Sequence, residues 1–123
     1  MNRNIFSDLV YICHPYRGDE VGNQEKCKEI CRLMRRISPS KTPVAPQIFL
    51  HHFVDENTEQ RVAMRMCIDL LDACSELRVC YFGDHPMITP GMMEEISNAA
   101  LQGIQVTFLS MDQLKKELED DDV

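Results

Sequence analysis

The sequence lacks two kinds of apolar segment and an excess of positive charge. No apolar stretch near its start resembles a signal segment, and no hydrophobic run is long enough to span a bilayer. We therefore expect a cytoplasmic protein that is neither secreted nor bound to a membrane. Its 13 Lys and Arg residues stand against 20 Asp and Glu, a formal net charge of −7. Because proteins that bind a nucleic-acid backbone usually present a basic face, we expect no nucleic-acid polymer as partner.

Cofactor and metal motifs are also missing. The six cysteines include no C-x-x-C pair, which argues against a thioredoxin-like site or a paired-cysteine zinc site and favours free, buried thiols. Neither a Walker motif nor G-x-G-x-x-G occurs, and we expect no cofactor. His51 and His52 are adjacent, so their side chains cannot converge on one ion as an i, i+4 pair would. We expect no metal site.

Apolar runs alternate with helical patterns along the chain. With 123 residues the chain is long enough for one domain. The order β-α-β-α-β-α-β predicts an α/β fold, a small doubly wound parallel sheet of the flavodoxin or Rossmann type with about four strands and helices on both faces. We predict the strand order 2-1-3-4. The domain is assigned to residues 1–110 and a terminal helix with an acidic tail to 111–123. Strands are predicted near 8–13, 44–46, 77–82 and 104–109, and helices near 23–37, 58–74 and 89–100.

The helix after the third strand places one carboxylate beside its apolar stripe. At 100° per residue, the stripe that faces the sheet holds Met92, Ile96, Ala99 and Ala100. Glu95 lies next to this stripe, whereas Glu94 points away from it. The alternative is that both glutamates are solvated and simply benefit from the helix N-terminus.

The predicted strand order brings two loops together. The switch point lies between the first and third strands, so residues 14–19 and 84–95 should face each other across a crevice at the carboxyl ends of the strands. The first loop offers Arg17 and backbone N–H groups near Gly18, which could hold an anionic oxygen group such as phosphate. The alternative is that Arg17 is simply exposed. The first helix should begin near Asn23, a possible N-cap.

These residues resemble a known family. The segments 11–18 (YICHPYRG), 91–99 (GMMEEISNA) and 103–106 (GIQV), together with Asp69, are similar to the nucleoside 2-deoxyribosyltransferase-like superfamily, near its small phage and bacterial members. The resemblance covers about residues 8–110. It is most specific in the glycine, the glutamate four residues later, the isoleucine and the small residues of that helix.

The resemblance implies a mechanism and a set of site residues. Glu95 would be the nucleophile that attacks the anomeric carbon of a nucleoside or its 5′-phosphate, after which a second base or water takes the sugar. Asp69 would position substrate or protonate the leaving base, and several members complete the pocket across a dimer, so we expect a homodimer or higher oligomer. The first loop's Arg17-Gly18 favours a nucleotide ligand. The substrate-binding residues implied are His14, Pro15, Tyr16, Arg17, Gly18, Thr89 and Gly91.

Thr89 departs from the family pattern, which commonly has an aspartate at this position. Threonine can hydrogen-bond a sugar hydroxyl but cannot accept its proton as a carboxylate could. The leading hypothesis is cleavage or exchange of an N-glycosidic bond through Glu95. The departure at Thr89 motivates the alternative, a nucleotide-binding or signal-sequestering protein without turnover. A third possibility is a scaffold whose partner binds the apolar segment 47–53.

Overall fold

Four strands alternate with helices in the computed structural model, which describes residues 7–121. Two 3-10 turns, Pro46–Ile48 and Leu50–His52, follow the second strand. The strands are β1 (Leu9–Cys13), β2 (Thr42–Val44), β3 (Glu76–Tyr81) and β4 (Gln105–Ser110), and the helices are α1 (Glu20–Ile37), α2 (Gln60–Asp72), α3 (Pro90–Leu101) and α4 (Met111–Asp121).

All strand pairs are parallel, and the order is β2-β1-β3-β4. This confirms the predicted order 2-1-3-4 and the α/β class. The strands are parallel because each helical crossover returns the chain to the same end of the sheet. The carboxyl ends of β1 and β3 are consequently adjacent, and the loops that follow them border the same crevice.

Alternate residues of β1 point to opposite faces of the sheet, as the two-residue period of a strand requires. Val10 and Ile12 pack with α1 and with Met111 at the start of α4. Tyr11 and Cys13 pack on the other side, where Leu71 of α2 and residues of α3 complete the second apolar cluster. The helices therefore cover both faces, with α1 and α4 on one and α2 and α3 on the other.

The first helix begins earlier than predicted. Asp19 is its N-cap, and the Asp19 side chain accepts a hydrogen bond from the Gly22 N–H at 3.1 Å. Asn23 lies inside the helix and is buried, so the prediction that it caps the helix was wrong. Both residue types are good caps, and the choice between them depends on tertiary contacts that a local pattern does not contain.

Other helix details also differ from the prediction. Helix α2 spans Gln60–Asp72, two residues shorter at each end than the predicted 58–74. Ala100 was assigned to the sheet-facing stripe of α3 but is exposed, because it is rotated by 100° from the fully buried Ala99. Helix α4 extends through most of the acidic run to Asp121, since Leu114 and Leu118 pack on the α1 side of the sheet. Within residues 7–121, no helix combines the length and the apolar character that crossing a membrane requires.

Candidate functional site

A cavity of about 480 Å³ lies over the carboxyl end of β1, between the first loop, α2 and the start of α3. Its volume is in the range of small-molecule binding sites. Glu95 lines it together with residues from each of these elements, and we refer to it as the Glu95 cavity. Its wall includes the sequence-predicted site residues His14, Tyr16, Arg17, Thr89, Gly91 and Glu95.

Glu95 is held by two side chains of the central strand. The Tyr11 hydroxyl donates a hydrogen bond to Glu95 Oε2, and the Cys13 thiol donates to Oε1 at 3.7 Å. Both donors come from the face of β1 that α3 covers, since residues 11 and 13 share a side of the strand. The described residues form no ion pair with Glu95. Its carboxylate is thus oriented by hydrogen bonds without being neutralised by a cation.

Burial raises the pKa of Glu95 from its ordinary value of 4.5 to about 7. Loss of hydration is the largest cause, the hydrogen bonds from Tyr11 and Cys13 oppose it, and the charges of Glu56 and Glu94 add to it. Burial and the neighbouring carboxylate also raise the pKa of the Tyr11 hydroxyl well above its ordinary value. A carboxyl group with a pKa near 7 can change its protonation state at neutral pH, as groups that take part in catalysis often do.

The first loop is fixed by two side-chain amides that sequence reasoning missed. Gln47 Nε2 donates to the carbonyls of His14 and Pro15 at 3.1 and 3.3 Å. Asn23 Nδ2 donates to the carbonyls of Tyr16 and Arg17 at 3.1 and 3.5 Å. The carbonyl groups of four consecutive loop residues, 14–17, therefore accept hydrogen bonds from these two side chains. Each of these amides supplies two donors, which is why one side chain can satisfy two neighbouring carbonyls.

The end of the loop needs glycine for its backbone conformation. Gly18 has φ of 101°, in the region where side chains with a Cβ are strained. It directly precedes Asp19, the cap of α1. Gly18 therefore has a conformational role at this turn. It does not line the Glu95 cavity, and its role in binding stays a prediction.

The two arginines of the Glu95 cavity are each paired with a glutamate. Arg17 donates to the Glu56 carbonyl at 2.6 Å, and its guanidinium lies 3.5 Å from the Glu56 carboxylate. Arg61 lies 3.0 Å from Glu94 in a pair on the exposed rim. An anionic ligand that binds Arg17 must therefore replace or join Glu56. The predicted phosphate contact remains a prediction.

His14 is a buried part of the loop. Its Nδ1 lies 3.0 Å from the Cys80 carbonyl, and its ring meets Phe82 edge-on. Burial is the largest cause that lowers the His14 pKa, so the ring is neutral at pH 7. In the tautomer that donates from Nδ1, Nε2 carries no proton, and Nε2 has no hydrogen-bond partner among the described residues. The ring contacts observed for His14 are thus structural.

Thr89 and Gly91 lie at the start of α3. Thr89 is the N-cap, and its Oγ1 accepts a hydrogen bond from the Met92 N–H at 3.2 Å. Pro90 occupies the first helical position, which suits its fixed φ. Both Thr89 and Gly91 line the Glu95 cavity, so their predicted contact with substrate stays open.

Asp69 is not brought to this cavity. It is exposed on α2, outside the set of residues that line the wall. Its assigned role as a residue that positions substrate or protonates the leaving base remains a prediction, one that requires a second subunit or a movement of α2. The carboxylate of the cavity wall that sequence reasoning missed is Glu56, from the loop before α2.

A second cavity of about 490 Å³ adjoins the first and is called here the Phe53 cavity. Tyr16, Arg17 and Glu56 line both cavities and so form the wall between them. Phe53 is 64% exposed and Phe49 is 39% exposed, which leaves part of the 47–53 segment apolar and accessible. Among the described residues, no group of three or more His, Cys, Asp or Glu side chains has the geometry of a metal site.

A family model described as "Domain of unknown function (DUF7768)" matches residues 8–109 of the chain. The match covers every strand and helix except α4 and the last residue of β4. No curated protein sequence matches the chain significantly.

Solved structures share the fold at low sequence identity. A 2-desoxiribosyltransferase from Leishmania mexicana matches with a TM-score of 0.59 and 19% identity over 83% of this chain and 63% of its own. The 2-deoxyribosyltransferase of Bacillus psychrosaccharolyticus matches with a TM-score of 0.57 and 10% identity over 83% of this chain and 72% of its own. A conserved protein from Enterococcus faecalis V583 gives 0.60 and 17%, covering 81% and 61% of the two chains. The chain thus has a nucleoside 2-deoxyribosyltransferase-like fold and spans about two thirds of the length of these proteins.

Proposed function

Since the chain belongs to the family described as a domain of unknown function (DUF7768), we propose that it cleaves or exchanges the N-glycosidic bond of a nucleoside or nucleotide through Glu95. The observation that carries the proposal is the position of Glu95 in a cavity of about 480 Å³, where Tyr11 and Cys13 orient its carboxylate. The fold shared with deoxyribosyltransferases supports the same conclusion.

The proposed chemistry proceeds in two displacements. An oxygen of the Glu95 carboxylate attacks the anomeric carbon, the bond from that carbon to the base nitrogen breaks, and the base leaves with a proton. The product of this step is a glycosyl ester on Glu95. Water or a second base then attacks the same carbon, loses a proton and restores the carboxylate. Tyr11 and Cys13 keep the attacking oxygen in place in both steps, because they bind the carboxylate from the sheet side.

The protonation state of Glu95 sets the expected pH dependence. Only the ionised carboxylate is a nucleophile, and the pKa of Glu95 is about 7 in the free protein. We expect kcat/KM to rise with pH through about 7, as the nucleophile ionises. A rate that instead rises through about pH 4 would contradict the burial of this carboxylate.

The direct test is release of base from 2′-deoxynucleosides and their 5′-monophosphates, followed by chromatography. Glu95→Ala should abolish release while circular dichroism shows an intact fold. Glu25→Gln is the matched control, because Glu25 lies on the surface of α1 and pairs there with Lys28. Turnover that persists in Glu95→Ala would refute the nucleophile. Comparing each nucleoside with its monophosphate decides whether a phosphate competes with Glu56 for Arg17.

The second candidate is a nucleotide-binding protein without turnover. Thr89 favours it, because its hydroxyl oxygen serves as the cap of α3 where related transferases commonly carry an aspartate. A nucleotide that raises the melting temperature and is recovered unchanged would support this candidate. Stoichiometric release of base would exclude it.

A further inference from the structure

Two proton transfers in the proposed reaction have no assigned side chain. The departing base takes up a proton, and the attacking water or second base loses one. Glu95 cannot serve in either, because it is bonded to the sugar between the two steps. Asp69, the residue that the resemblance favours for this work, is exposed and outside the cavity. The wall of the Glu95 cavity must supply another group.

Most titratable side chains of the wall are engaged elsewhere. The Tyr11 hydroxyl donates a hydrogen bond to Glu95. His14 is held through its Nδ1 by the Cys80 carbonyl, and its unpartnered Nε2 is buried away from solvent. Burial is the largest cause that raises the pKa of the Cys67 thiol, to about 12. The thiol is therefore protonated at neutral pH and cannot accept a proton. Glu94 lies at the rim of the cavity, where its side chain is 47% exposed, against 23% for Glu56.

Glu56 is the remaining carboxyl group of the wall. We propose that Glu56 is the general acid and base of the Glu95 cavity, an inference that rests on the proposed function. It lines the cavity, its side chain is 23% exposed, and Arg17 holds both its carbonyl and its carboxylate. It also lines the Phe53 cavity and so borders both cavities.

The charges of the two glutamates also interact. The carboxylate of Glu56 contributes to the raised pKa of Glu95, which means that the two groups are close enough for their charges to repel. The repulsion favours a state of the free protein in which one of the two carboxyl groups holds a proton. When Glu95 is a neutral ester, this repulsion is absent. The ionised form of Glu56, which accepts a proton in the second displacement, is then no longer disfavoured.

Protons and bonds balance in both displacements. In the first displacement, Glu56 in its acid form gives its proton to the leaving nitrogen while Glu95 bonds to the anomeric carbon. In the second, the oxygen of water bonds to that carbon, the ester bond to Glu95 breaks, and Glu56 takes the proton that the water loses. Each turnover returns Glu56 to its acid form and Glu95 to its carboxylate, and the products are the free base and 2-deoxyribose.

A substrate whose base leaves without a proton separates the two steps. The base of 7-methyl-2′-deoxyguanosine is a cation that departs as a neutral molecule. In Glu56→Ala and Glu56→Gln, we expect a burst of one equivalent of 7-methylguanine, a glycosyl adduct on Glu95 detected by mass spectrometry, and steady turnover reduced at least about 100-fold. Azide needs no deprotonation to attack, so it should restore turnover in Glu56→Ala and yield the sugar azide.

Glu59→Gln is the control for disturbance of the same loop. Glu59 lines the Phe53 cavity only, and the amide of glutamine can still accept the hydrogen bond from the Asp55 N–H. We expect melting temperatures within a few degrees for all variants. Steady turnover in both Glu56 variants equal to that of wild type and Glu59→Gln would overturn the role of Glu56 and leave Glu95 standing. A slow Glu56→Ala that azide does not accelerate and that shows no burst would also overturn it. Absence of base release by the wild type, or its persistence in Glu95→Ala, would remove the proposed function itself.

Discussion

Replacing Glu95 with glutamine should change how the stability of the protein depends on pH. The pKa of Glu95 rises from 4.5 to about 7 on folding, so between these values the folded protein binds a proton that the unfolded chain has released. The free energy of unfolding of the wild type therefore falls as pH rises through this window. Glutamine is of similar size, carries no charge and can still accept the hydrogen bond from Tyr11.

The magnitude follows from the difference between the two pKa values of Glu95. A difference of about 2.5 corresponds to about 3 kcal/mol of folding free energy, reached in full above pH 7. Between about pH 5.5 and about pH 8.5, the free energy of unfolding of the wild type should fall by about 2 kcal/mol relative to that of Glu95→Gln. This change is independent of any enzymatic activity, because it depends only on the environment of the carboxylate.

Urea unfolding followed by far-ultraviolet circular dichroism measures this effect. Each midpoint is converted to a free energy with the measured slope, on the two-state approximation that holds for small single domains. Glu25→Gln is the control, since it removes an exposed carboxylate whose pair with Lys28 contributes less than about 1 kcal/mol. If the wild-type and Glu95→Gln curves stay parallel over this pH range, the carboxylate is solvated and the reasoning fails.

Two further substitutions test the scaffold around the site. Thr89→Ala should lower the free energy of unfolding by about 1 kcal/mol, because it removes the side-chain cap from the Met92 N–H, and Thr89→Ser should restore most of this loss in the same urea assay. Leu71→Ala should cost about 2–5 kcal/mol, because Leu71 is fully buried, whereas Leu101→Ala, at a residue that is 84% exposed, should stay within about 0.5 kcal/mol. Equal losses at the two leucines would contradict the assignment of the core.

The sheet was predictable from local pattern because its strands are continuous apolar runs separated by helical segments. Few topologies remain once crossovers are right-handed, and the observed order β2-β1-β3-β4 is the predicted one. The partly buried position of Glu95 was also predictable, since its place beside the stripe of Met92 and Ala99 depends only on helical phase. Both inferences use periodicities that the chain carries within a few residues.

The partners of Glu95 required information that local pattern does not carry. Alternation in β1 puts Tyr11 and Cys13 on one face, but only the packing of α3 decides that Glu95 lies on that face as well. Glu56 comes from a polar loop without periodicity, and Arg17 fixes it through contacts between distant segments. Asp69 shows the opposite case, in which a family resemblance suggests a role and the single chain leaves the residue exposed.

The clamp formed by Gln47 and Asn23 separates the shape of the first loop from its side chains. Both amides donate hydrogen bonds to main-chain carbonyl groups, which are present whatever the side chain at that position. Substitutions at Tyr16 or Arg17 can therefore change the side chains that face the Glu95 cavity while the path of the loop stays the same. The chemistry of this cavity wall can change by single replacements, because the backbone of the loop is anchored by residues outside it.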